Sequence, residues 1–142
     1  MALGPLTYKT PNQITTINAD LTGSEGCGLT LTAQGTVEIA NAATDLPYGI
    51  VVVGAQSYDQ TTYPGAIGGG ALEIVDALGC VVQVTAGAVA ITVGTGLTVN
   101  SSGKFISAAS LSVGEWYWGF ALTAAPAGGQ FLMRFQPFTK QA

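Results

Sequence analysis

Cys80-Val-Val-Gln-Val-Thr85, Gly87-Ala-Val-Ala-Ile-Thr-Val93 and Gly94-Thr-Gly-Leu-Thr-Val99 succeed one another without a charged residue. The uncharged, valine-rich run of which they are part extends from 77 to 103, long enough to suggest a membrane span. Its interior argues otherwise. Gly79, Gly87, Gly94, Gly96 and Gly103 punctuate it, and threonines and Gln83 interrupt it. Its apolar residues alternate: Val82 and Val84; Val89, Ile91 and Val93; Leu97 and Val99. A period of two marks half-buried strands.

The same reading extends in both directions. Upstream, Tyr48-Gly-Ile-Val-Val-Val-Gly54 is an unbroken β-branched run, expected as a central strand buried on both faces. Leu29-Thr-Leu-Thr32, Thr36-Val-Glu-Ile39 and Leu72-Glu-Ile-Val75 are short strands, and Ser57-Tyr-Asp-Gln-Thr-Thr-Tyr63 is polar but β-prone. Downstream, Asn100-Ser-Ser-Gly103 is a hairpin-type loop returning as Lys104-Phe-Ile-Ser107. One short helical turn fits within 107–114. Trp116 to Thr123 and Gln130 to Phe135 are the last strands, joined by Pro126-Ala-Gly-Gly129. About ten strands at this spacing predict an all-β domain, a compact β-sandwich or small β-barrel-like unit. Residues 1–20 read as an extended N-terminal arm, because Pro5 and Pro11 block helix and apolar residues are few. The β-domain is expected over 21–136 and a short C-terminal tail over 137–142. Leu46-Pro-Tyr-Gly-Ile-Val51 and Trp116-Tyr-Trp-Gly-Phe-Ala121 echo each other, through duplication or through the shared demands of central strands.

Composition bounds the chemistry. Of 142 residues only 8% are charged and 20 are glycine, against roughly 25% charged in typical domains. Histidine is absent, which removes Ser-His-Asp triads and imidazole-ligated metals. The basic residues are Lys9, Lys104, Arg134 and Lys140, against eight acidic ones, for a net charge of -4. Four scattered cations make neither a nucleic-acid footprint nor a membrane-binding patch. So uncharged a surface suits either a Thr/Ser/Asn/Gln-covered monomer or one largely covered by partners, and the second fits better. Cys27 and Cys80 are expected as unpaired thiols, and the start of the chain lacks a secretory pattern, so synthesis in a reducing cytoplasm is expected.

No catalytic, cofactor-binding or metal-binding residue emerges. Glu73 and Asp76 need not converge across a strand end, and Asp20, Glu25, Asp45 and Asp59 lack calcium-loop spacing. Gly26-Cys-Gly28 and Gly94-Thr-Gly96 lack the βαβ setting of a dinucleotide site, and Ser102-Gly-Lys104 lacks the rest of a phosphate loop. An enzyme is therefore disfavoured. Trp116 and Trp118, two apart on one strand, suit a sugar-stacking platform with Tyr58 and Tyr63, or an aromatic ladder in a core or subunit interface. The ladder is the favoured reading, with Trp116, Trp118 and Phe135 as candidate subunit-packing residues.

The succession Thr36-Val-Glu-Ile39, Tyr48-Gly-Ile-Val51, Ala71 to Val75, Val81 to Thr85, Ile91-Thr-Val-Gly-Thr-Gly-Leu97, Ser102-Gly-Lys104, Trp118-Gly-Phe-Ala-Leu122 and Ala127-Gly-Gly-Gln-Phe-Leu-Met-Arg134 resembles the head-decoration, or capsid cement, proteins of tailed bacteriophages. The match is one of order and spacing, from about Gly35 to Phe135. The Tyr58 to Gly70 insertion and the Trp116-Tyr-Trp118 cluster depart from that pattern. The resemblance implies a non-catalytic virion protein on the outer surface of an icosahedral head. Its implied partners are the major capsid protein and sister copies in a homotrimer, with no cofactor, nucleic acid or membrane. Leu3, Pro5, Leu6, Tyr8 and Lys9 of the arm are the candidate capsid contacts. An extended arm of this kind can add a strand to an exposed sheet edge.

Overall fold

The computed structural model describes residue 21 and residues 23–33, 36–53 and 73–142. The arm, with Leu3, Pro5, Leu6, Tyr8 and Lys9, lies outside the described residues, as does Ser57 to Tyr63.

Strands β1 (Gly28–Leu31), β2 (Val37–Ile39), β3 (Gly49–Val53) and β4 (Glu73–Val75) form one sheet in the order β2-β1-β3-β4. Strands β5 (Val81–Thr85), β6 (Gly96–Val99), β7 (Phe105–Ser107), β8 (Trp116–Ala121) and β9 (Gln130–Thr139) form a second, in the order β5-β9-β8-β6-β7. Every named pairing is antiparallel, and no helix occurs among the described residues. The five-stranded sheet also rolls. Ala86, just past β5, bridges Phe105 of β7, and the Gly87 N–H donates to the Phe105 carbonyl at 2.8 Å. Both halves of the sequence expectation are thus present: two sheets, one of them closing on itself.

Period-two sequence explains the packing. In β5 and β9, Val82, Val84, Phe131, Met133 and Phe135 point inward, while Val81, Gln83 and Leu132 point out. The unbroken apolar run in β3 is buried on both faces at Ile50 and Val51, while Val52 is 41% exposed. Ile50 enters the main core with Trp118, Phe105 and Phe135, and its neighbour Val51 enters a smaller cluster with Leu21, Leu29 and Val37 on the opposite face. Phe105 meets Trp118 edge-on, 5.7 Å between centroids at 76°, a geometry worth about 0.5–1.5 kcal/mol beyond area burial.

The segment 26–28 stitches the sheets together. Gly26 donates its N–H to Val51 and accepts from Thr85, while Gly28 donates to Gly103 and accepts from Ala40. Trp118 explains why position 28 is glycine. A β-carbon there would stand 2.7–2.8 Å from the indole ring, too close for any side chain.

Three expectations change. Val89–Val93 is not a strand: only Ile91 pairs, with Ala125, while Val89 and Val93 are largely exposed. Alternation without a partner backbone does not make a strand. The 107–114 stretch holds turns at 109–110 and 113–114 and no helix. The C-terminal tail is not separate, because β9 continues to Thr139 and pairs Phe138 with Tyr117. Pro137 permits this. Odd residues of β9 face β5, as the Phe135 N–H bond to the Cys80 carbonyl shows, and β5 has ended before position 137. The missing proline N–H therefore falls on a side with no ladder to break.

Candidate functional site

Among the described residues no three His, Cys, Asp or Glu side chains come together as a metal site would need, and no helix is long and apolar enough to cross a membrane. The charges that the structure resolves hold loops. Asp45 Oδ2 accepts from the Asn41 and Ala42 N–H groups at 2.9 and 3.2 Å. Glu115 Oε2 accepts from the Ser112 N–H at 2.6 Å. Lys140 Nζ donates to the Leu111 carbonyl at 2.6 Å, and Arg134 Nη1 to the Gly79 carbonyl at 2.9 Å. Asn100 Oδ1 accepts from Ser102 and Lys104 N–H, so Ser102-Gly-Lys104 is a side-chain-braced turn. Cys27 and Cys80 are unpaired, the first buried and the second exposed. Burial pushes the Cys27 thiol above its ordinary range, partly offset by Lys104.

The aromatic residues separate into two groups. A bulge between Tyr117 and Gly119 breaks the strict alternation of β8. Trp118 is completely buried and Phe135 is 1% exposed. Both are enclosed by their own chain, so neither offers surface to a sister subunit and Trp118 cannot stack a sugar. Trp116 is half-buried. The accessible aromatic pair is Tyr117 with Phe138, stacked at 4.6 Å and 9°. Alternation places Tyr117 opposite Trp116 and Trp118, and the pair escapes the sequence reading because Phe138 is expected there in a tail and not in β9.

Two features of the five-stranded sheet stand open among the described residues. The first is its outer face. Val81, Arg134 and Phe120 stand side by side across β5, β9 and β8, and Leu132 follows on β9. Val81, Leu132 and Phe120 are 48%, 40% and 36% exposed. The second is a strand edge without a full partner among the described residues. Phe135 N–H bonds the Cys80 carbonyl and Ala86 N–H the Gly129 carbonyl, both at 2.8 Å. Even-numbered residues of β5 therefore bond β9, and Val81, Gln83 and Thr85 turn their backbone groups the other way. The Thr85 N–H is taken by the Gly26 carbonyl at 3.0 Å, and its hydroxyl by the Glu25 carbonyl at 3.0 Å. Val81 and Gln83 have no backbone partner on that side among the described residues. There a groove of about 280 Å³ opens between the sheets, walled by Val51, Val52 and Val75 on one side and Val81 and Val82 on the other.

No family model matches the chain, and no curated protein matches it.

Proposed function

We propose that this chain is a structural protein of a phage particle: a decoration, or cement, protein on the outer surface of an icosahedral head. It contacts the major capsid protein and sister copies of itself in a homotrimer, and performs no catalysis. The observation that carries the reading is the strand succession. The segments that resemble cement proteins fall, in order, on β2, β3, β4, β5, the entry to β6, the β6–β7 turn, β8 and β9. The sparse charge and the exposed Val81, Leu132 and Phe120 on the outer face of β5, β9 and β8 support it, since both suit a subunit seated against neighbours. In this reading Leu3, Pro5, Leu6, Tyr8 and Lys9 reach the shell, and three arms on one trimer act together, so weak single contacts give high occupancy.

Co-sedimentation with empty phage heads tests the proposal. The full chain pellets with the shells, and a chain lacking residues 1–15 stays folded and remains in the supernatant. Full-length protein that never pellets with heads, or that labelled antibody locates on tails, overturns the function. A truncated chain that binds as well as the full one overturns the role of the arm.

A further inference from the structure

We propose that in the unattached protein the open edge of β5 is filled by the chain's own residues Leu6-Thr-Tyr-Lys-Thr10, which add to the five-stranded sheet as a sixth strand. The receiving site is the groove beside Val81 and Gln83, whose outward N–H and C=O groups offer up to four hydrogen bonds to an extended segment. An unpaired edge with apolar walls is an aggregation hazard that proteins ordinarily cover. Its valines call for an occupant with apolar side chains on one face, and Glu25, which also lines the groove with Gln83 and Gln130, disfavours one that brings further negative charge.

The arm contains one segment of this kind. Leu6, Tyr8 and Thr10 alternate with Thr7 and Lys9, and Pro5 and Pro11, which lack an N–H, bracket the five residues. β5 is also five residues long. The described chain begins beside the groove, since Leu21 packs in one cluster with Val51, which also walls the groove. Residues 11–20 then serve as the return. Ten residues span at most about 33–36 Å, more than twice the radius of gyration of about 14 Å expected for a chain of this length. A tether this short holds its own strand at an effective concentration in the millimolar range, ahead of any dilute second copy. The docked strand places Leu6 and Tyr8 against Val52 and Val75, and Thr7 and Lys9 toward water. One consequence rests on the cement-protein reading: binding to a shell requires these residues to leave their own sheet edge, so the free protein keeps its docking strand covered until a stronger edge competes for it.

Residue-resolved hydrogen exchange tests the docked strand without shells. The full chain is compared with the chain lacking residues 1–15 and with full-length L6D/Y8D, which keeps the arm but places carboxylates against the valines. The Val81 and Gln83 amides are expected to exchange about tenfold slower in the full chain than in either variant. The Val82 and Val84 amides, held by β9, report that each protein is folded and stay unchanged. Equal Val81 and Gln83 rates in the full chain and L6D/Y8D overturn the proposal. So does protection that disappears on dilution, which would mean the strand comes from a second copy. Because no shell enters the experiment, its failure leaves the proposed function standing, and failed shell binding leaves this inference standing.

Discussion

At position 119 the backbone of β8 passes so close to β9 that a β-carbon would overlap the Arg134 carbonyl oxygen. Glycine is required there by contact, and relief would mean separating the two longest strands. Gly119→Ala is expected to cost at least about 1–3 kcal/mol, the usual range for overpacking; a urea midpoint unchanged from the parent would remove this account. The neighbouring Trp118 is completely buried in the core, where Trp118→Ala would leave a cavity costing about 3–5 kcal/mol. Cys27 gives a pH signature. Its thiol has a higher pKa folded than unfolded because burial disfavours the thiolate. Its contribution is therefore complete below the unfolded thiol range and is lost as pH rises through the folded value. As pH rises above the ordinary thiol value of about 8.5 the parent should lose stability faster than Cys27→Ala; parallel curves would contradict it. At neutral pH a thiol reagent should label the exposed Cys80 at once and Cys27 only on unfolding.

Among the elements, β9 organises the domain. It pairs β5 through Val81–Thr85 and β8 through Trp116–Ala121, and ends with Phe138 stacked on Tyr117. Its last residues act as structure: Lys140 N–H bonds the Glu115 carbonyl and Lys140 Nζ the Leu111 carbonyl. Removing 137–142 should therefore lower the melting temperature by several degrees, corresponding to about 1–3 kcal/mol, whereas a detached tail could be removed without effect. Much of this was legible in the sequence. The alternation in Val81–Thr85 and Leu97–Val99, the unbroken Ile50–Val53 run and the Asn100–Gly103 turn each fell where local preference and tertiary need agree. The errors lie where they diverge. Val89–Val93 has strand composition but only one residue with a partner, and Pro137 is a breaker whose fault faces an empty side. The Tyr117–Phe138 pair was hidden because Phe138 falls in residues that read as a tail, whereas Tyr117 lies opposite Trp116 and Trp118 as alternation expects. The β5 edge was invisible for another reason, since an edge is a property of strand order and not of any strand.

For the whole molecule, scarce charge and exposed apolar residues on one sheet face raise a single question of association. If the proposed homotrimer packs through Val81, Phe120 and Leu132, Leu132→Glu or Phe120→Glu should leave the circular-dichroism spectrum intact and reduce the mass in light scattering from three times 14.3 kDa to 14.3 kDa. A variant that keeps the parent's mass would move the contact elsewhere on the surface. The position of β9 also determines how the domain answers a pull. Because its inner half is bonded along both flanks, a tug on residues 140–142 along the strand axis loads many ladder bonds at once, in shear. Among the described residues β4 is bonded on one flank and would peel bond by bond. A tether fixed to β9 through residues 140–142 should therefore hold greater force in single-molecule pulling than one fixed at β4, making β9 the mechanically strong attachment point.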